Sequence, residues 1–457
     1  MGDRLEDRKD YSEEVKAKLP ESTRLAEAGQ LSEALEMLLG LERLCRTGND
    51  HANLKEVVLH SLRLCRKCND IGQLGSTATM LSKRRGQQGR TVTAIVQECM
   101  KWLNDGDLVE NIDARRGLIE NLRDITDGKI FVESERAQLT RMLAEMKEKS
   151  GDIKSAAEVM QEVAVETYGA LNKAEKTDFI LEQVRLTLLK KDFVRALIQS
   201  RKINRKVLQE SDMQGLKVRF YQLMIDYDSH EKDSFSLAKD YHSIYDTPSI
   251  KEKEEAYLSA LKSCVVYVVL SNFSNEQQDM LHRIALYPEL EKIPIFKSLV
   301  DLFTTNQIIQ YPLPFMTELK DHLTECIGLT GVEAWESTPS LVGHWMKDLH
   351  TRVVQHNIRV TAKYYKRIRC ARLAEHLGLD LTATESALSS MVSEGSLYAR
   401  IDRPAGIISF SEPKPASEVL SNWNSDIGSL LHLLEHTTHL INKETMLASN
   451  SKGKKLT

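Results

Sequence analysis

The distribution of proline constrains this chain more than any other feature of its sequence. Between Pro20 and Pro248 there is no proline, and the interval is rich in Leu, Ala, Glu, Lys and Arg. A proline costs about 3 kcal/mol inside a helix, so such an interval is typical of one helix following another. The sequence therefore predicts a mostly α-helical protein.

The breaks between these helices resemble one another. Each is a small or polar turn followed by an apolar residue and usually an alanine, as at Asp152, Asp192 and Asp233. These aspartates are 40 and 41 positions apart. A repeat of about 40 residues predicts a TPR-like α-solenoid, in which each helical hairpin buries its apolar face against its neighbours.

The segment 356–411 has a different pattern, that of three helices followed by a β-hairpin. Thr382 and Glu385 fit a capping box that opens the third helix, and Gly395 is expected to end it. Apolar and polar residues then alternate from 397 to 402, which predicts a half-buried strand, and apolar residues return at 407–410 after a turn. This order predicts a winged helix with a two-stranded wing.

The last apolar pattern of the chain predicts an amphipathic helix that needs a partner. Its apolar residues recur at steps of three and four positions. They are Trp423, Ile427, Leu430, Leu431, Leu434 and Ile441. The expected organisation is a flexible N-terminus (1–20), a solenoid arm (21–247), a helical segment (248–355), the winged helix (356–411), a C-terminal helix (416–448) and a flexible tail (449–457).

A winged helix can bind nucleic acid, and we keep this function as an alternative to protein binding. Charge argues against it. From Leu373 to Ala399, a stretch that includes the third helix, there is no Lys or Arg. A helix in a DNA groove needs cations against phosphates and base acceptors. Basic residues precede this stretch, at Lys363, Lys366, Arg367 and Arg369, and we expect them on helices, where they would suit an acidic protein partner.

Candidate catalytic and metal sites are weak. The chain has no P-loop, dinucleotide-binding or nucleophile-elbow motif. Cys65 and Cys68 are interpreted as core residues one helical turn apart, since further zinc ligands at signature spacing are missing. For Lys83–Arg85 a localisation or docking signal and a solvated helix end are equally favoured. We expect no enzyme activity, cofactor, metal or small-molecule substrate.

The location and solubility of the chain follow from its cysteines and apolar runs. Seven scattered cysteines and a net charge of −4 are typical of a soluble protein in a reducing compartment. The run from Cys264 to Leu270 is too short to cross a membrane. We therefore expect no membrane association.

A solenoid that leads into a winged helix and a terminal helix resembles the PCI-domain proteins. The motifs His356–Arg359, Ala405–Ile408 and Thr437–Ile441 are similar to those of PCI subunits in the lid of the 26S proteasome, as are Leu81–Arg85 and Val165–Gly169. The resemblance implies a non-catalytic scaffold, in the cytoplasm and nucleus, that supports lid assembly in ubiquitin-dependent degradation. A PCI scaffold of the signalosome is the first alternative.

The resemblance also implies partners. Winged-helix sheets would line up side by side, C-terminal helices would form a bundle, and the arm would reach the deubiquitinating metalloprotease, the ATPase ring and the core particle. We expect the contacts to involve the basic residues and the terminal-helix stripe named above, together with the wing. The wing residues are Leu397, Tyr398, Ala399, Arg400, Ile401, Ile407, Ile408 and Phe410.

Overall fold

A computed structural model describes residues 11–68, 70–103, 111–328, 338–411 and 415–453. Its helices are α1 (Ser12–Glu27), α2 (Leu31–Thr47), α3 (His51–Lys67), α4 (Ile71–Lys83), α5 (Gly89–Leu103), α6 (Ile112–Thr126), α7 (Glu133–Lys149), α8 (Ile153–Gln161), α9 (Lys173–Leu189), α10 (Phe193–Ser200), α11 (Gln214–Glu231), α12 (Ser234–Tyr245), α13 (Pro248–Lys251), α14 (Glu254–Leu270), α15 (Asn275–Ala285), α16 (Pro294–Thr304), α17 (Met316–Gly328), α18 (Thr338–Tyr364), α19 (Cys370–Leu377), α20 (Leu381–Ser393) and α21 (Ala416–Gly453). The strands are β1 (Arg367–Arg369), β2 (Arg400–Asp402) and β3 (Ile407–Ser409).

Contacts divide the chain into two compact units. The first contains Met1–Ser271, Tyr287–Phe296 and Thr317–His344, and the second contains Asn272–Leu286, Lys297–Met316 and Trp345–Thr457. Helix α1 begins at Ser12, so the expected flexible N-terminus is helical from that residue onward. Among the described residues, no helix is both long and apolar enough to span a bilayer.

Aspartate and asparagine side chains begin six helices of the first unit, which are α3 and then every second helix from α4 to α12. Each accepts a hydrogen bond from the backbone N–H three residues later, a cap that contributes about 1 kcal/mol. These caps are Asp50, Asp70, Asn111, Asp152, Asp192 and Asp233. From Asp70 onward they are 40 or 41 positions apart. The period found in the sequence is therefore the period of the helix starts.

Helices of this unit pack mainly against neighbours in the chain, which confirms the helical solenoid. Helix α2 packs against α1 and α3, α7 against α6 and α8, and α9 against α8, α10 and α11. The core formed by the first helices is continuous and apolar, and it includes Leu38, Leu62 and Ile95, all fully buried. Each hairpin thus buries its apolar face against the next.

Ion pairs about one repeat apart link neighbouring hairpins. Arg185 makes a bidentate pair with Glu148, 37 positions earlier, at 2.6 and 2.8 Å. Arg219 in turn pairs with Asp178 at 2.8 Å and with Glu182. Burial raises the pKa of Glu182, but hydrogen bonds from Arg185 and Arg219 outweigh it and hold that pKa below its ordinary value. This network joins α7, α9 and α11 across two hairpin boundaries.

The basic cluster Lys83–Arg85 has a structural role in part. Arg84 pairs with Glu42, whose side chain is only 1% exposed and also pairs with Arg46 at 3.1 Å. A buried carboxylate that loses its cation destabilises the fold by several kcal/mol, so Arg84 is needed as the partner of Glu42.

Cys65 is buried as expected, whereas Cys68 is exposed at the end of α3, so the expectation of two core-facing cysteines was half right.

Two carboxyl groups are buried together between α11 and α12. Asp228 is 7% and Asp240 is 8% exposed, and their side chains share a hydrogen bond. Burial, reinforced by the neighbouring Asp228 charge, raises the pKa of Asp240 well above its ordinary value; burial also raises the pKa of Asp228. Asp240 Oδ2 accepts no hydrogen bond from an N–H or hydroxyl donor of the described residues. The pair is therefore most stable with Asp240 protonated.

We expect the Asp240→Asn variant to unfold at a higher temperature than the parent chain, with a gain that grows with pH. In the parent chain, the pKa of Asp240 is higher in the folded than in the unfolded state. The stability of the parent is therefore complete below about pH 4, and it is lost as pH rises through the folded pKa, at up to about 1.4 kcal/mol per pH unit. Asparagine can replace the proton donor and does not ionise. Thermal unfolding by circular dichroism at pH 5 and pH 8 measures the gain. The exposed Asp212→Asn variant is the control, and an equal gain for Asp240→Asn at both pH values would contradict the prediction.

The second unit contains the winged helix, and its sheet has three strands in the order β1-β3-β2. The predicted hairpin is present as β2 and β3, and Arg367–Arg369 form a further strand, not predicted, that pairs antiparallel with β3. The predicted capping box was wrong, because α20 begins at Leu381 with Asp380 at its cap position. The positive φ values of Gly378 and Gly395 (64° and 72°) agree with helix ends there.

The motif His356–Arg359 is buried structure. The Asn357 side chain accepts from the Ile309 N–H and donates to the Ile309 carbonyl, both at 2.8 Å. His356 contacts the Gln307 carbonyl at 3.2 Å, and burial lowers its pKa to about 4. Arg359 stacks on Phe273 at 4.0 Å. His356 and Asn357 thus hold the loop after α16 against α18, and Arg359 holds the segment before α15 against the same helix, which gives the motif a structural role.

Candidate protein interface

The inner face of the three-stranded sheet is the core of the winged helix. It consists of Val354, Ile358, Ile368, Leu373, Leu388, Met391 and Ile408, and Ile408 is fully buried. Leu397, Ala399, Ile401 and Phe410 pack against this core while partly buried. Five of the eight wing residues named from the sequence therefore stabilise the winged helix from within, and Ile408 has no surface for a partner.

The outer face of the same sheet is basic. Because residues paired across an antiparallel ladder lie on one face, Arg367 and Arg400 flank Ser409, and Arg369 and Asp402 flank Ile407. These strands and the following turn line a depression of about 590 Å³. Its lining residues are Arg367, Arg400, Ile401, Asp402, Arg403, Pro404, Ile407 and Ser409. The outer face therefore suits an anionic partner.

Strand β3 is the central strand, so the free edges of the sheet belong to β1 and β2. The Phe410 N–H donates to the Lys366 carbonyl and the Cys370 N–H to the Gly406 carbonyl, at 3.0 and 2.8 Å. By the alternation of an antiparallel ladder, residues 406, 408 and 410 bond toward β1, and Ile407 bonds toward β2. The Ile407 backbone is thus used inside the sheet.

The four basic residues named from the sequence are all exposed, but most of them do not lie on helices as expected. Arg367 and Arg369 lie on strand β1, and Lys366 lies in the link before it. Only Lys363 is helical, near the end of α18, where it donates to Asn306 at 2.6 Å. In a strand, residues two positions apart lie on the same face, so Arg367 and Arg369 are side by side. In a helix, the same two residues would point to nearly opposite sides.

Helix α21 exposes the apolar stripe named from the sequence. Trp423 is 64%, Leu430 57% and Ile441 60% exposed. Leu420 is exposed too, and with Trp423, Ile427, Leu430, Leu434 and Ile441 it gives the three- and four-residue steps of a heptad seam. The seam is widened by three more exposed leucines, one heptad apart: Leu433, Leu440 and Leu447. They are not among the residues predicted from the sequence, although the 3.5-residue period would have identified them. This width suits a helix covered by more than one partner.

One buried cysteine and histidine lie within contact distance in the first unit. Cys326 Sγ is 3.3 Å from His322 Nε2 and 3.0 Å from Ser263 Oγ. Burial raises the pKa of Cys326 to about 11 and lowers the pKa of His322 to about 4. A nucleophilic cysteine needs the thiolate, which this environment disfavours.

His432, His436 and His439 are exposed on α21, and the described residues contain no cluster of three metal-ligating side chains.

Comparisons with known proteins match three separate parts of the chain. A family model described as PSMD12/CSN4, N-terminal matches residues 33–253. The PCI domain model matches residues 319–412, which contain the winged helix. The model of the 26S proteasome regulatory subunit RPN5 C-terminal domain matches residues 417–449, which lie within α21.

Relatives match over nearly the whole chain. The 26S proteasome non-ATPase regulatory subunit 12 of Dictyostelium discoideum is 40% identical over 93% of this chain and 92% of its own length. The 26S proteasome regulatory subunit RPN5 of Saccharomyces cerevisiae is 36% identical over 96% of each. The COP9 signalosome complex subunit 4 of Caenorhabditis elegans is only 23% identical, over 75% of this chain and 76% of its own length. The chain therefore belongs to the family of 26S proteasome non-ATPase regulatory subunit 12, which is also named RPN5.

Proposed function

We propose that this chain is a non-catalytic scaffold subunit of the lid of the 26S proteasome regulatory particle. It contributes to lid assembly and positions the deubiquitinating subunit for ubiquitin-dependent protein degradation in the cytoplasm and nucleus. The observation that carries the proposal is the exposed apolar seam of α21, a 38-residue helix. Contiguous apolar surface of this kind marks a protein interaction site, and here it fits a bundle of helices.

The partners follow from the surfaces and from the family. Other lid subunits would pair with the free edges of the sheet and pack on α21. The solenoid arm, residues 21–247, would contact the deubiquitinating metalloprotease, the ATPase ring and the core particle. The neutral state of Cys326 and His322 supports a structural role, and no cofactor or small-molecule substrate is part of the proposal.

Affinity purification of the tagged full-length chain, followed by mass spectrometry, tests this function. We expect proteasome lid and ATPase subunits in the purified material, at levels well above those in a purification of the tag alone. Recovery of signalosome subunits without proteasome ATPases would replace the proposal by the signalosome alternative, for which the distant COP9 relative is the supporting observation.

A further inference from the structure

We propose that strand β1 pairs with an extended segment of a partner protein that has acidic side chains at two alternate positions, one opposite Arg367 and one opposite Arg369. The inference rests on the proposed scaffold function and adds the chemistry of one contact. The inference specifies the sequence of the partner strand that pairs with β1, which should have an acidic–apolar–acidic pattern.

The backbone of β1 can accept such a strand. Residues 366, 368 and 370 bond toward β3, so the N–H groups of Arg367 and Arg369 and the carbonyl of Arg367 point away from the sheet. The Arg369 carbonyl is at the N-cap of α19 and accepts the first hydrogen bond of that helix. An added strand satisfies groups of this kind, and main-chain hydrogen bonds supply the affinity. The residue between the two acidic ones would lie beside Ile368, on the buried face, and should therefore be apolar.

The side chains of β1 supply the selectivity. Arg367 and Arg369 are exposed on the outer face of the sheet. Nearby Arg372 and Arg403 pair with Glu375 and Glu385, whereas within the described part of the chain no carboxylate pairs with Arg367 or Arg369. Opposite charges directly across two strands stabilise the pairing, and like charges oppose it.

The same charges give a second copy of this chain no advantage over an acidic strand. The other free edge, β2, has Arg400 and Asp402 on the outer face. When β1 of one copy lies in full register beside β2 of another, one arginine faces Arg400 and the other faces Asp402, so repulsion and attraction offset each other. When two β1 strands meet, every facing pair is cationic. The edge therefore favours a different, acidic protein, and repulsion between β1 strands is part of its specificity.

The test is a binding measurement on the full-length chain, independent of proteasome purification. The probe is a fluorescent, disulfide-closed β-hairpin peptide whose outer strand contains Glu-Val-Glu. Its comparison peptides have Lys-Val-Lys, or have the outer strand N-methylated so that it cannot donate outward hydrogen bonds. Fluorescence anisotropy should show the Glu-Val-Glu hairpin binding at least about tenfold more tightly than either comparison peptide.

Two sets of variants separate charge from strand pairing. Arg367→Glu with Arg369→Glu should reverse the preference toward the Lys-Val-Lys hairpin, while the control Arg372→Glu should not. Arg369 has φ −73°, which proline also adopts, so Arg369→Pro removes one outward N–H without straining β1. It should weaken binding of the Glu-Val-Glu hairpin beyond the loss in Arg369→Ala.

Three results would overturn the inference. These are equal binding of the N-methylated hairpin, no change of preference in the double glutamate variant, and tighter arginine-dependent binding of a single-stranded oligonucleotide than of the hairpin. Unchanged thermal unfolding shows that each variant is folded. Successful purification of proteasome subunits together with a failed hairpin experiment would reject this inference and leave the scaffold function standing.

Discussion

Replacing Leu430 and Leu434 with aspartate is expected to reduce the recovery of proteasome subunits with the tagged chain by about a hundredfold. Burying a charge at a packed helix seam costs several kcal/mol, and each 1.4 kcal/mol is a factor of ten in affinity. Both side chains are more than half exposed in the isolated chain. The thermal unfolding of the variant alone should therefore match that of the parent.

The chain offers a matched control on the same helix. His432 and His439 are also exposed, and they lie on the side of α21 opposite the seam, with no seam leucine three or four positions away from either. We expect the variant with His432→Asp and His439→Asp to retain recovery close to the parent level, since its charges face away from the seam. Equal loss in both variants would show that added negative charge, and not the seam, governs assembly. Full recovery of the leucine variant would exclude the seam as a contact.

The Ile407→Pro variant should lose the fold of the winged helix. The Ile407 N–H belongs to the ladder between β3 and β2. Proline in a central strand removes that bond, leaves its acceptor unpaired at a cost of about 1–3 kcal/mol, and adds steric strain to the pairing. Hydrogen exchange measured by mass spectrometry should show lost protection across residues 366–410, while peptides of α2–α9 stay protected.

Arg369→Pro is the appropriate control, because its N–H points away from the sheet. We expect this variant to keep the protection of residues 366–410. Loss of protection in both variants would contradict the assignment of β3 as the central strand. Retained protection in Ile407→Pro would likewise show that the sheet does not depend on this hydrogen bond.

Local chemistry made the solenoid predictable. The absence of proline, the capping aspartates and the apolar periodicity act within a few residues, so the repeat of about 40 positions could be recognised before any contact was known. The apolar stripe of α21 is another local pattern, and the residues named for it lie exposed on the helix. The seam was incomplete only because Leu420, Leu433, Leu440 and Leu447 were not included.

Tertiary structure decided what the wing residues do. The segment Arg367–Arg369 is too short for an alternating pattern, and it becomes a strand only because β3 lies beside it. That pairing makes β3 the central strand of the sheet and buries Ile408. It also makes β1 one of the two edge strands, with two arginines on one face. Likewise, only the packing of α11 against α12 joins Asp228 to Asp240. The sequence by itself determined where helices begin and which faces are apolar, because those depend on neighbouring residues. Strand order, edges and buried charge pairs depend on residues far apart in the chain, so only the folded structure could assign them.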